Sequence, residues 1–167
     1  PVVIESTPEL AKAFFAGRCD ALTSDASQLA GTRAVAPNPD DYVILPEIIS
    51  REPLAPAVRH GDDQWFDIVN FATMAMMEAE YLGITSQNVD EMLKSTDPKI
   101  QRFLGVSEGN GKALGLDEKY AYNIVKMVGN YAEVFERNVG PDTPLKIERG
   151  LNALWTDGGI MYTPPFK

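Results

Sequence analysis

The alternation of apolar and polar positions opens with a β-rich run over residues 1–5, "PVVIE", and turns helical at "STPEL". There Thr7 can cap a helix and Pro8 can take its first turn. Leu10, Ala13 and Phe14 recur at helical spacing, Gly17 is placed to end that helix, and residues 19–24 return as a second strand finishing in Thr23, Ser24 and Asp25. Strand, helix and strand at this length predict a βαβ crossover, right-handed by default. "DASQLAG" then carries a capping-box pattern, Asp25 with Gln28, for a short helix ending near Gly31. Two extended segments, 42–49 and 53–59, are each interrupted by proline, which predicts edge strands or crossings between lobes, with a place for a hinge between them.

From Asp62 the period becomes helical. Trp65, Ile68, Val69, Ala72, Met76 and Ala79 make one apolar face and Gly83 the stop. Asn88 with Glu91 reads as a second capping box, and Asp97 before Pro98 opens another short helix. After the turn "GNGKALG", residues 117–138 read as a long helix broken at Gly129 and Asn130. A last short helix over 147–156 ends in "DGG", before an extended tail, "YTPPFK".

Composition narrows the function classes. A chain of 167 residues is the size of one domain and can bury roughly 68 to 70% of its unfolded surface. A formal net charge of -9, without clustered Lys and Arg, argues against a nucleic-acid partner. One cysteine, one histidine, no CxxC and no HExxH leave no zinc, redox-pair or Cys/His catalytic reading, and no metal or cofactor is expected. No apolar run approaches the roughly 20 residues that cross a bilayer, so stable membrane insertion is not expected. The first residues have no initiator Met and already read as a core strand, so the chain is expected to begin in the middle of a protein.

Asp25 is the sharpest site candidate. In open α/β sheets ligands collect beyond the carboxyl ends of strands, where a carboxylate can meet a ligand cation. An Asp before a helix with Gln at the third position is equally a cap, and different oxygens can serve both roles. Asp20 and Asp25 do not make a hydrolytic pair, because five residues of extended strand put them on opposite faces roughly 16 Å apart. His60 beside Asp62 and Asp63 reads as a surface residue next to a helix cap. Met74, Met76 and Met77 read as core packing.

"GRCDALTSDASQLAG", "ILPEIISREPLAPAVRHGDDQWFDIVNF", "AEYLGITSQNVDEM" and the ending "VGNYAEVFERNVGPDTPLKIERGLNALWTDGGIMYTPPFK" together resemble the carboxyl-terminal half of periplasmic general L-amino-acid-binding proteins, solute-binding components of polar amino-acid ABC transporters. The resemblance implies an α/β, type II periplasmic-binding-protein-like two-lobe fold of which only the later half is present, with a helical carboxyl-terminal extension. On that reading residues 1–50 are the second half of the ligand-grasping lobe, 51–104 a hinge-return strand and helix of the first lobe, and 105–167 the extension. It implies a non-catalytic protein that binds L-amino acids such as Glu, Gln, Asp and Asn in the periplasm and delivers them to the transporter's membrane subunits. It places Asp25 on the ligand's α-ammonium and Thr7 near the ligand side chain, and it implies a disulfide partner for Cys19 outside this chain. The family's arginine for the ligand carboxylate lies in the half that this sequence does not match. Two other classes stand beside this reading. One is an enzyme on the same fold, of the periplasmic dehydratase or transglycosylase kind, and the other a helical interaction module. A sheet edge left open by absent strands would also favour pairing with a second copy.

Overall fold

Helix signals at the amino-terminal end act locally, as the pattern predicts. In the computed structural model, which describes residues 2–50 and 53–166, Pro8 and Glu9 lie in the first turn and Lys12 in the last of α1 (Thr7–Phe15). Ser6, not Thr7, is the N-cap; Thr7 is the first residue inside the helix. Asp25 precedes α2 (Ala26–Ala34), which runs past Gly31 to Ala34 because a glycine with open space around it interrupts nothing. The remaining helices are α3 (Asp63–Tyr81), α4 (Val89–Met92), α5 (Pro98–Phe103), α6 (Tyr120–Val128) and α7 (Tyr131–Asn138).

The strands differ from expectation. Among the described residues the single β-pairing is an isolated parallel bridge between Leu154 and Met161, and residues 2–5, 19–24, 42–49 and 53–59 run without ladder partners. The sequence expresses each segment's own preference for extended backbone. A ladder also needs a second strand about 4.8 Å away to take its N–H and C=O groups. The hinge expected between the two proline-interrupted segments falls on residues 51 and 52, outside the described residues, as does Pro1 of the first expected strand.

By packing, the chain divides into two units, one of residues 1–54 and 139–147, the other of 55–138 and 148–167. The first unit buries little. Ala30 and Ala36 are its buried apolar residues, while Phe14, Phe15 and Tyr42 make an aromatic cluster with ring centroids 5.2–5.8 Å apart. Arg33 Nη2 donates to the Leu145 carbonyl at 3.2 Å and so holds the 139–147 segment to α2. Val3, Val43, Leu45, Ile48 and Ile49 of this unit are exposed.

The second unit has a true core. Ala75 and Ala79 of α3, Ala121 and Val125 of α6, Ile84, Val89, Phe103 and Leu104 are all within 2% of full burial, with Leu114 and Tyr120 close behind. Because residues 103–104 and 114–125 pack into one cluster with α3, the helices on either side of residue 105 share this core. The face of α3 that faces inward is centred on Ala75 and Ala79, with Phe71 against the cluster; Trp65, at the outer end of the predicted stripe, is about half exposed. Asp62 caps α3 by accepting from the Trp65 N–H at 3.2 Å, and Gly83 ends it at φ +67°. The helix expected over 147–156 is instead two short 3-10 turns, Gly150–Asn152 and Trp155–Asp157. The tail they belong to is fastened by side chains. Phe166 meets Phe71 and Phe103 edge-on, and Trp155 stacks on Tyr81.

The break between α6 and α7 is held by a capping box. Glu133 N–H donates to Asn130 Oδ1 at 2.9 Å, and the Asn130 N–H returns to Glu133 Oε2 at 2.8 Å. Gly129 sits at φ +89°, and a Cβ there would lie 2.8 Å from Glu133 Oε2, so neither the turn nor the space admits a side chain. Glu133 also accepts from Ser86 Oγ at 2.6 Å and the Ser86 N–H at 3.0 Å, while Asn130 Nδ2 donates to the Ile84 carbonyl at 2.9 Å. Partial burial pushes the Glu133 carboxyl up, but the bonds from Ser86 and Asn130, with the Arg137 charge, outweigh it and hold the group below its ordinary value.

Two predictions follow from this packing. Leu104→Ala, at a fully buried site, should cost about 2–5 kcal/mol in denaturant unfolding, whereas Leu45→Ala, at an exposed one, should stay within about 0.5 kcal/mol. Because the folded-state pKa of Glu133 is depressed, its stabilisation is present above the ordinary value of 4.5 and is lost as pH falls through the lower folded value. Glu133→Gln should therefore lower the melting temperature at pH 7, and the gap to wild type should narrow below about pH 4.5 in thermal melts across pH.

Candidate functional site

A ligand-binding group must have hydrogen-bonding capacity that the fold has not consumed. Most of the polar clusters in this protein fail that test. The Gly-rich turn "GNGK" offers a concave run of backbone N–H groups of the kind that holds phosphate. It is filled from within: Glu118 accepts from Gly109 and Gly111 at 3.0 and 3.2 Å and from Lys112 at 3.2 Å. The Lys112 bond chiefly holds the Glu118 carboxyl below its usual value, against a desolvation effect that raises it. Arg149 is likewise engaged. Its Nη2 reaches both oxygens of Glu80 at 3.0 and 3.1 Å, with the guanidinium over the rings of Tyr131 and Phe135. Asp90 accepts from Lys126 Nζ at 2.6 Å and from the Tyr122 hydroxyl at 2.8 Å, and Lys126 more than any other neighbour lowers its pKa. The Tyr120 hydroxyl is pushed up to about 12 by burial and donates to Asn110.

Asp25 is different. It holds the N-cap position of α2 through its backbone, its carbonyl accepting from Leu29 at 2.9 Å, yet its side chain makes no cap bond. The carboxylate, half-buried, has no hydrogen-bond partner among the described residues. The capping box that pairs Asp25 with Gln28 in the sequence pattern is therefore not formed. Gln28 turns back across the helix start instead: Ser24 Oγ donates to Gln28 Oε1 at 2.6 Å, and Gln28 Nε2 donates to Thr7 Oγ1 at 3.2 Å. Thus the amino-terminal turns of α1 and α2 and the end of segment 19–24 come together, and Thr7 lies one hydrogen bond from the residue that also holds Ser24. Thr7 is exposed and serves as no N-cap.

Sequence reasoning placed Asp25 and Thr7 and noted Ser24, but it read Gln28 as a cap. The signal available was the spacing Ser24 to Gln28, four residues across a helix start, which brings a hydroxyl and an amide within reach. No hollow of the fold is centred on these groups. Two shallow hollows, of about 340 and 480 Å³, lie in the second unit, around Pro56–Asp63 with Phe66 and around Asn88–Ser95. His60 lines the first of them, exposed, beside the cap residue Asp62. Cys19 is half-buried and unpaired. Among the described residues no group of three His, Cys, Asp or Glu could hold a metal ion, and no helix is long and apolar enough to cross a membrane.

No family model matches the chain. Individual proteins do, along all of it. It is 56% identical over 169 residues to the general L-amino acid-binding periplasmic protein AapJ of Rhizobium johnstonii, covering 100% of this chain and 50% of that protein. It is 53% identical to the putative amino-acid ABC transporter-binding protein YhdW of Escherichia coli K12, of which it covers 49%. To the glutamate/glutamine/aspartate/asparagine-binding protein BztA of Rhodobacter capsulatus it is 51% identical, covering 50%. An ABC transporter periplasmic binding protein from Brucella ovis, solved with glutathione bound, superposes with a TM-score of 0.93 at 51% identity, over 99% of this chain and 52% of that one. The chain thus spans about half the length of the curated relatives it matches, which fits the carboxyl-terminal-half reading of its sequence. At such identity from end to end, it belongs to the family of amino-acid-binding periplasmic proteins of ABC transporters and corresponds to about half of a member.

Proposed function

We propose that the protein acts in the periplasm as part of a solute-binding protein that captures polar L-amino acids and hands them to the membrane subunits of an ABC transporter, without chemistry. The observation that carries this reading is the Asp25 carboxylate, half-buried at the end of segment 19–24 and unused by its own helix. An amino-acid zwitterion is costly to desolvate unless each charge meets a fixed partner. Asp25 takes the ammonium, with Ser24 beside it, and an arginine from the unmatched half of the family's length takes the carboxylate. A micromolar complex needs about -8 kcal/mol, within reach of two such anchors plus lobe closure.

In this reading residues 1–50 belong to the ligand-grasping lobe, 51–104 return to the other lobe, and 105–167 extend it. The unpaired segments 2–5 and 19–24 become strands of an α/β sheet when the other half supplies their neighbours. That assignment also accounts for the exposed Val3 and Val43, which a completed lobe would cover. The disulfide implied for Cys19 would run to the same region.

A second ligand class has its own support. The Brucella ovis relative was solved with glutathione, whose γ-glutamyl end carries a free α-ammonium and α-carboxylate. Asp25 suits that end as well as it suits a free amino acid.

Titration calorimetry of the full-length protein with Glu, Gln, Asp, Asn and glutathione tests the proposal. Asp25→Asn should weaken whichever ligand binds by about 10- to 150-fold, the value of a hydrogen bond to a charged group. Unchanged affinity would remove Asp25 from the site, and conversion of any ligand, followed by mass spectrometry, would favour the enzyme class instead.

A further inference from the structure

The bridge made by Gln28 does more than hold two turns together, because an amide side chain has a polarity. Its oxygen can only accept and its nitrogen can only donate. The two distances fix which end is which. At 2.6 Å, the contact with Ser24 Oγ suits an O–H···O bond and is shorter than N–H···O bonds run. At 3.2 Å, the contact with Thr7 Oγ1 suits N–H···O and is longer than O–H···O bonds run. The Ser24 proton is therefore committed to Gln28, and Thr7 receives a proton from Gln28 and keeps its own.

The consequence is a sorting of hydrogen-bond sense across the site. Ser24 Oγ can offer a ligand only lone pairs, as can the neighbouring Asp25 carboxylate, so this end is built for a group rich in donors. Thr7 has a free O–H and offers a proton to an acceptor. We infer that Gln28 is a positioning residue that sets Ser24 as acceptor and Thr7 as donor, and so selects ligands that join a cationic amine to a side chain ending in a carbonyl or carboxylate oxygen. Glu, Gln, Asp and Asn share that feature whatever their charge. A side chain ending in an ammonium or guanidinium has no acceptor for the Thr7 proton, and an aliphatic one leaves it unmet. This inference rests on the proposed amino-acid-binding role and adds to it the residue and the mechanism by which broad but polar specificity would arise.

A double-mutant cycle in the full-length protein tests it, with affinities for Glu, Gln and alanine read by calorimetry and folding checked by thermal melting. Thr7→Val should weaken Glu and Gln by about tenfold and alanine less, since alanine has no side-chain acceptor. In a Gln28→Leu background Thr7→Val should lose most of that effect, because the hydroxyl is no longer oriented. Gln28→Glu is the variant that a merely structural role would not explain. The introduced carboxylate can accept from both hydroxyls, so the Thr7 proton turns inward, and Glu should then lose affinity more than Gln, to which like-charge repulsion does not apply. Additive effects of Thr7→Val and Gln28→Leu, or an equal loss for alanine, would overturn the inference and leave amino-acid binding intact. Loss confined to Gln, with Glu spared, would do the same by making Thr7 an acceptor. Wild-type protein that binds no amino acid would bring down the functional proposal and this inference together.

Discussion

The second unit depends on how small the side chains are where its helices meet. Ala75 and Ala79 of α3 and Ala121 of α6 have no accessible surface. A methyl side chain keeps the helix backbone intact and occupies the least space short of glycine, so the larger residues around it, Ile84, Val89, Phe103, Leu104 and Val125, can close over the seam. Interiors packed to crystal-like density tolerate added methylenes poorly, so these alanines constrain everything laid on them. The tail reaches α3 through Phe166, Trp155 and Arg149, and it inherits its position from that helix.

Against this core, the unit carrying the candidate site is held largely by polar bridges and one aromatic cluster. That contrast has a functional sense. A ligand-gripping surface must keep carboxylates and hydroxyls uncommitted, and groups kept free for a guest contribute little to the host's own stability. Asp25 is such a group. Elsewhere the chain's acidic residues are consumed: Glu118 fills the backbone nest of the Gly-rich turn, Glu133 joins three segments, and Glu80 neutralises Arg149. An excess of negative charge in the sequence therefore conceals two populations of carboxylate, those spent on the fold and at least one left open.

Local chemistry was legible from the residues alone wherever a single element sufficed. Asp62 and Asp97 cap their helices as the pattern demands, with bonds of 3.2 and 2.8 Å, and the break at Gly129 and Asn130 falls where glycine's freedom is needed. The motifs that carry the family resemblance were equally readable, and relatives at 51–56% identity bear it out. Patterns that promised a capping box could not reveal which partner the side chain would choose. Asn88 bonds the Thr85 N–H and the Gly83 carbonyl, and Gln28 bonds Ser24 and Thr7, because those groups came closer than the helix's own first turn.

The sequence by itself determined where helices start and stop, which face of α3 is apolar, the absence of clustered basic residues, and Asp25 as a carboxylate at the end of an extended segment. Each of these follows from residues within a turn or two of one another, whose propensities and hydrogen bonds act along the chain. Only the tertiary structure decided that the Asp25 carboxylate is spared from capping, that Gln28 links Thr7 to Ser24 across 21 residues of sequence, and that the carboxylate of Glu118 closes the glycine turn. The physical reason is that a side chain's hydrogen-bond partner is settled by distance and direction in space, and no pattern along one segment encodes where a second segment will pass.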